Sequence, residues 1–127
     1  MNEMEQTRAL RADTQTHYNC CQSVLLPFRE ACGLTWEQAV ALGAHFGGGM
    51  RHGGTCGAVT GAHMVLGLAG RDKEDAQALL SALRDKHGAL DCASLLASAQ
   101  ENGLDRQGHC DGLIYDAVAL LQAILGE

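Results

Sequence analysis

Six cysteines in 127 residues carry the reactive chemistry of this chain: Cys20, Cys21, Cys32, Cys56, Cys92 and Cys110. A thiolate ligates metals, attacks disulfides and is readily oxidised. Four of the six recur at intervals of 36, 36 and 18 residues, from Cys20 to Cys56 to Cys92 to Cys110. No C-x-x-C pair occurs, so thioredoxin-like, zinc-ribbon and bacterial ferredoxin spacings have no local support. The C-x-x-C-H run of covalent haem attachment is absent as well. Any shared site must therefore be assembled by the fold from distant segments. The ordinary alternative for each cysteine is burial in the core, where free cysteine is common.

The expected helices give these cysteines a common setting. Cys20 follows Asn19, Cys56 follows Thr55 and Cys92 follows Asp91, each pair reading as a cap and a first turn. Cys110 is expected at the start of the last helix. Cys32 falls at a helix end, and Cys21 lies one step inside the first helix. A helix N-terminus offers unpaired N–H groups and partial positive charge, which favour thiolate.

Cys56 is also delivered by an unusual loop. The stretch from Gly47 to Gly54 reads GGGMRHGG. Glycine this dense costs backbone entropy, so close backbone approach at a site is the expected return. The plain alternative is a helix–helix connector.

The elements that must position these groups read as all-α. Apolar residues are 46% of the chain, aromatics only 4%, and Pro27 is the single proline. This predicts a compact bundle of about five or six helices in one domain, 1–127, with residues 1–16 a loosely attached helix. A helix from Cys20 is kinked or split at Pro27 and ends by Gly33. Thr35-Trp36-Glu37-Gln38 predicts a capping box and a helix to about Phe46, with Trp36 in the core. The helix 55–70 is apolar almost all round and is expected at the centre. Gly57-x-x-x-Gly61 within it would admit a neighbouring backbone. Asp72 caps a helix over 73–87, closed by Gly88. A short helix follows from Cys92 to near Gly103, then a polar loop over 105–108 and the last helix.

A formal charge of −6 argues against a nucleic-acid partner. The polar N-terminus lacks the apolar segment of a secretory signal, and no apolar run matches a membrane span. The expectation is a cytoplasmic protein with no membrane partner, where metal or redox use of cysteine outweighs a disulfide framework. Among the histidines, His63 reads as a satisfied core group. His52 in the glycine loop and His109 before Cys110 are placed to donate to sulfur or replace a thiolate. No Ser-His-Asp set, carboxylate pair or phosphate loop names a substrate, and the chain is left without a catalytic residue.

Asn19-Cys20-x-Gln22-x-Val24, Phe46-Gly47-Gly48-Gly49-Met50, and Thr55-Cys56-Gly57-Ala58-Val59-Thr60-Gly61-Ala62 with Met64-Val65-Leu66-Gly67-Leu68, followed by Cys92 and Cys110, resemble the C-GCAxxG-C-C family of redox-active proteins. The likeness runs from about residue 17 onward. The family label has Gly-Cys-Ala where this chain has Cys56-Gly57-Ala58. The family is similar in turn to the non-haem part of split-Soret cytochromes c. The resemblance implies Cys20, Cys56, Cys92 and Cys110 as the four thiolates of an iron–sulfur cluster, with [2Fe–2S] as the type, in a helical homodimer. Cys21 and Cys32 are extras, and Cys21 is an alternative to Cys20. Gly48, Gly49 and Gly57 would bring backbone close to the cluster, which oxidation would strip. The partner would be an unidentified redox protein, in electron transfer or redox sensing. Two other readings stay open: a metal-free thiol–disulfide oxidoreductase or switch, and a structural zinc module, disfavoured by the long ligand spacing.

Overall fold

The computed structural model describes residues 2–126, apart from the side chains of Arg106, Gln107 and His109. Among these residues it is all-α, with one isolated β-bridge, between Thr55 and Asp91. The helices are α1 (Glu3–Ala12), α2 (Cys20–Leu25), α3 (Trp36–Gly43), α4 (Gly57–Leu68), α5 (Lys73–His87), α6 (Cys92–Glu101) and α7 (Arg106–Leu125). Seven exceeds the five or six expected, because the N-terminal segment forms a full helix of its own. None of the described helices is long and apolar enough to cross a membrane.

Capping chemistry sets most of the helix starts. Asn19 and Thr35 each accept from the third residue of their helix, while Gln22 and Gln38 accept from the cap N–H in return. Asp72, Asp91 and Asp105 accept from the backbones of Asp75, Ser94 and Gly108. Pro27 ends α2, and the chain continues as a 3-10 turn over Leu26–Phe28. Gly33 and Gly88, both at positive φ, close their segments.

Three boundaries differ from expectation. Asp105 starts α7 four residues earlier than predicted from the apolar pattern, so Cys110 lies in its second turn, not at its start. Thr55 is not the cap of α4; its neighbour Cys56 takes that position, with no side-chain cap bond. The cause is the bridge to Asp91, which holds Thr55 extended. Helix α3 stops at Gly43 because the glycine loop draws the chain away.

The centre is α4, as its apolar sequence predicts. Ala58, Val59, Ala62, Val65 and Leu66 are buried against α2 and α7, which bring Val24, Leu25, Leu113, Ile114, Ala117 and Leu121. Burying each Val or Leu contributes about 1.5–3 kcal/mol. Trp36 is not core: it is 38% exposed, edge-on to Tyr18 and beneath the Arg29 guanidinium. Helix α1 sets Met4 and Leu10 against the core, and polar contacts dock it as well. Thr7 is fully buried and donates to Ser23 O, Arg11 pairs with Asp111, and Arg8 lies over the Tyr115 ring.

Candidate functional site: a four-thiol cavity

A cavity of about 540 Å³ opens where α2, α4, α6, α7 and the glycine loop meet. Cys20, Cys56, Cys92 and Cys110 all line it, as do Gly48, Gly49 and Gly57. Its remaining wall includes Arg11, His17, Asn19 and Arg51. Thus segments up to 90 residues apart in sequence bring the four regularly spaced thiols to one space. The other two cysteines go elsewhere. Cys21 is fully buried, with Sγ 3.8 Å from Met64 Sδ. Cys32 packs in the core against Val65 O. Cys21 is not among the residues lining the cavity.

Glycines set how tightly the start of α2 is gripped. A β-carbon on Gly57 would stand 2.7 Å from Phe46 O and 3.0 Å from Cys21 N. One on Gly61 would stand 2.9 Å from Cys21 O, and one on Gly47 3.0 Å from Asn19 Cβ. Asn19 Nδ2 also donates to Gly43 O at 2.9 Å. The glycines therefore let α4, the loop and the end of α3 close around Asn19–Gln22, the turn that presents Cys20.

The loop itself is strained. Gly48, Gly49, Met50 and Arg51 have successive positive φ values of 64°, 63°, 56° and 65°. Left-handed backbone costs a side-chain-bearing residue about 1–2 kcal/mol, so Met50 and Arg51 pay what the two glycines avoid. The turn is closed by Gly54 N–H donating to Gly49 O at 2.9 Å. Beyond it, Cys56 N–H donates to Leu90 O at 2.8 Å and Cys92 N–H to Gly54 O at 2.7 Å. These two bonds flank the Thr55–Asp91 bridge and tie one cysteine's backbone to another's.

The thiols form a hydrogen-bonded chain. Cys20 shares side-chain hydrogen bonds with both Cys110 and Cys56. The bond with Cys20 holds the Cys56 thiol below its ordinary value; the Ala58 N–H helps, against burial and the nearby Cys110 and Cys92. At Cys20 the bond with Cys110 favours ionisation, but the bond with Cys56 and burial prevail and push it up to about 12. This corrects the expectation that a helix start alone makes Cys20 a ready thiolate. Cys20 and Cys56 are thus shifted in opposite directions. Cys92 is buried at the first position of α6.

His52 is exposed and is not among the residues lining the cavity. The side chain of His109 lies outside the described residues. His63 bonds Val59 O through Nδ1 at 2.7 Å, as a satisfied helix histidine does. Among the described residues, no three His, Cys, Asp or Glu side chains stand together as a grip for one metal ion. Spacing analysis missed Arg11 and His17, for which no sequence signal existed, and Arg51, which its place in the glycine loop could have flagged.

Compared with known protein families, residues 18–124 match the one described as "Putative redox-active protein (C_GCAxxG_C_C)". No curated protein and no solved structure matches the chain. The match spans α2 through most of α7 and includes all four cavity cysteines, so the chain belongs to the C_GCAxxG_C_C family of redox-active proteins.

Proposed function

We propose that the chain holds an iron–sulfur cluster on Cys20, Cys56, Cys92 and Cys110 and serves in electron transfer or redox sensing. The observation that carries this reading is the convergence of four thiols from four helices on one cavity of about 540 Å³. The donor set fits the group, since four cysteines are the usual ligands of [2Fe–2S] and [4Fe–4S] centres. The long spacing between the cysteines disfavours a four-cysteine zinc site. When bound, such a cluster accepts and releases single electrons. The chain's own part is to present the thiols, to bring the backbone of Gly48, Gly49 and Gly57 close, and to limit water. The homodimer implied by the split-Soret likeness belongs to the same proposal, and a solution mass of 13.4 kDa for the loaded protein would remove it.

A second reading is favoured by the Cys20–Cys56 hydrogen bond: thiol–disulfide exchange. Cys56 thiolate would attack a substrate disulfide and release one substrate thiolate. Cys20, on losing its proton, would then attack Cys56 Sγ and release the second. Two electrons pass from the cysteine pair to the substrate, leaving a Cys20–Cys56 disulfide.

One experiment separates them: a visible spectrum of protein purified without oxygen, with iron, sulfide and zinc assayed on the same sample. Broad visible absorption with equal iron and sulfide supports the cluster. Colourless protein, still empty after anaerobic reconstitution, overturns it and leaves the exchange reading.

A further inference from the structure

Arg11 stands on α1, outside the family-matched residues 18–124, yet it lines the thiol cavity. Its side chain is only 6% exposed. Nε lies 2.6 Å from Oδ1 of Asp111, the residue after Cys110. Nη1 donates to Tyr18 O at 2.8 Å, two residues before Cys20. Separate arms of one planar fork therefore hold the two segments that carry Cys20 and Cys110. A lysine offers no such fork. Burying a guanidinium is costly unless its charge is met. Asp111 meets it on one side, and the thiol cluster lies on the other, where Cys20 feels its charge.

We infer that Arg11 is a positioning residue for the four-thiol site, clamping the Cys20 and Cys110 segments and setting a compensating positive charge beside Cys20 that favours the more negative, reduced state of the group held there. The electrochemical part rests on the cluster reading. Net charge near a cluster is one of the levers on its potential. Arg11 and Asp111 pull on it in opposite directions, which a purely mechanical strap does not do.

The test uses full-length, cluster-loaded protein in a mediated redox titration with dithionite as the electron donor. Arg11→Met should shift the potential to more negative values, and Asp111→Asn to more positive values. Arg11→Lys should restore the potential while retaining less cluster, because charge is kept and the fork is lost. Unchanged potentials, or shifts of the same sign in Arg11→Met and Asp111→Asn, overturn the charge role. Where Arg11→Met fails to fold, Arg11→Lys and Asp111→Asn carry the comparison. If the wild-type protein takes up no cluster, the reading under Proposed function fails, and the clamp is still tested on the metal-free protein. Amide hydrogen exchange at the start of α2 should then be faster in Arg11→Lys than in wild type, and equal protection overturns the clamp.

Discussion

Replacing Gly61 by alanine, and separately Gly67, should move stability in opposite directions on one helix. Both glycines lie in α4 with ordinary helical backbone. Gly61 faces α2, where a new β-carbon would meet Cys21 O at 2.9 Å and Cys21 Cα at 3.2 Å. Those are backbone atoms and cannot swing aside, so the helices must part. Gly67 is exposed, with nothing within 4 Å of such a β-carbon. Overpacking costs about 1–3 kcal/mol, and replacing a mid-helix glycine returns about 0.5–1 kcal/mol. At mid-range, Gly61→Ala loses about 1 kcal/mol net and Gly67→Ala gains a little under that. The gap of about 2 kcal/mol corresponds to roughly 8 °C, at about 4 °C per kcal/mol for a domain of this size. Thermal unfolding of the two variants under identical reducing conditions reads it directly. Equal midpoints, or a more stable Gly61→Ala, would refute the claim that glycine here serves close approach.

Three further outcomes follow from the site. Cys56→Ala should abolish cofactor uptake during anaerobic reconstitution, while Cys32→Ala and Cys21→Ala should retain it; equal uptake by all three would undo the ligand assignment. Met50→Gly should stabilise the chain by about 1 kcal/mol in urea unfolding, since glycine relieves left-handed strain of about 1–2 kcal/mol, less its own entropy cost, and Met50 is 52% exposed. The metal-free protein should lose stability as pH rises from 9 toward 12. Folding pushes Cys20 and Cys21 from 9.0 to about 12, so the unfolded chain releases those protons first, whereas the downward shift of Cys56 has the opposite sign and does not add to the fall. Urea midpoints at about pH 8 and about pH 10 measure the fall, which Cys21→Ala should reduce.

The helices were legible because their signals are local. Asn19 with Gln22 and Thr35 with Gln38 are complete capping boxes, and Pro27 splits its helix where its missing N–H demands. The start of α7 is not legible from apolar spacing because its first turn, Arg106 to His109, is polar; the signal lies instead in Asp105, which caps as Asp91 does. Helical spacing puts Trp36 on the inner face of α3, but at the first position of the helix it is satisfied at the surface beside Tyr18 and Arg29. At the site, cysteine spacing singled out the four thiols that the cavity gathers, but their ionisation order was hidden. It depends on which sulfurs share hydrogen bonds and on burial, a matter of packing between α2, α4 and α7. Arg11 left no trace in spacing, because its partners are Asp111, 100 residues away, and a backbone carbonyl.

The Thr55–Asp91 bridge has a consequence for how this protein tolerates change. The separation of Cys56 from Cys92 is written in main-chain amides and carbonyls, not in side-chain identity. The exposed Thr55 is therefore free to vary without disturbing it, whereas proline at position 56 or 92 would remove a donor and is barred. A library randomised at 55 should yield many folded members with the two cysteines in register. The spelling of the motif can drift while its geometry is inherited.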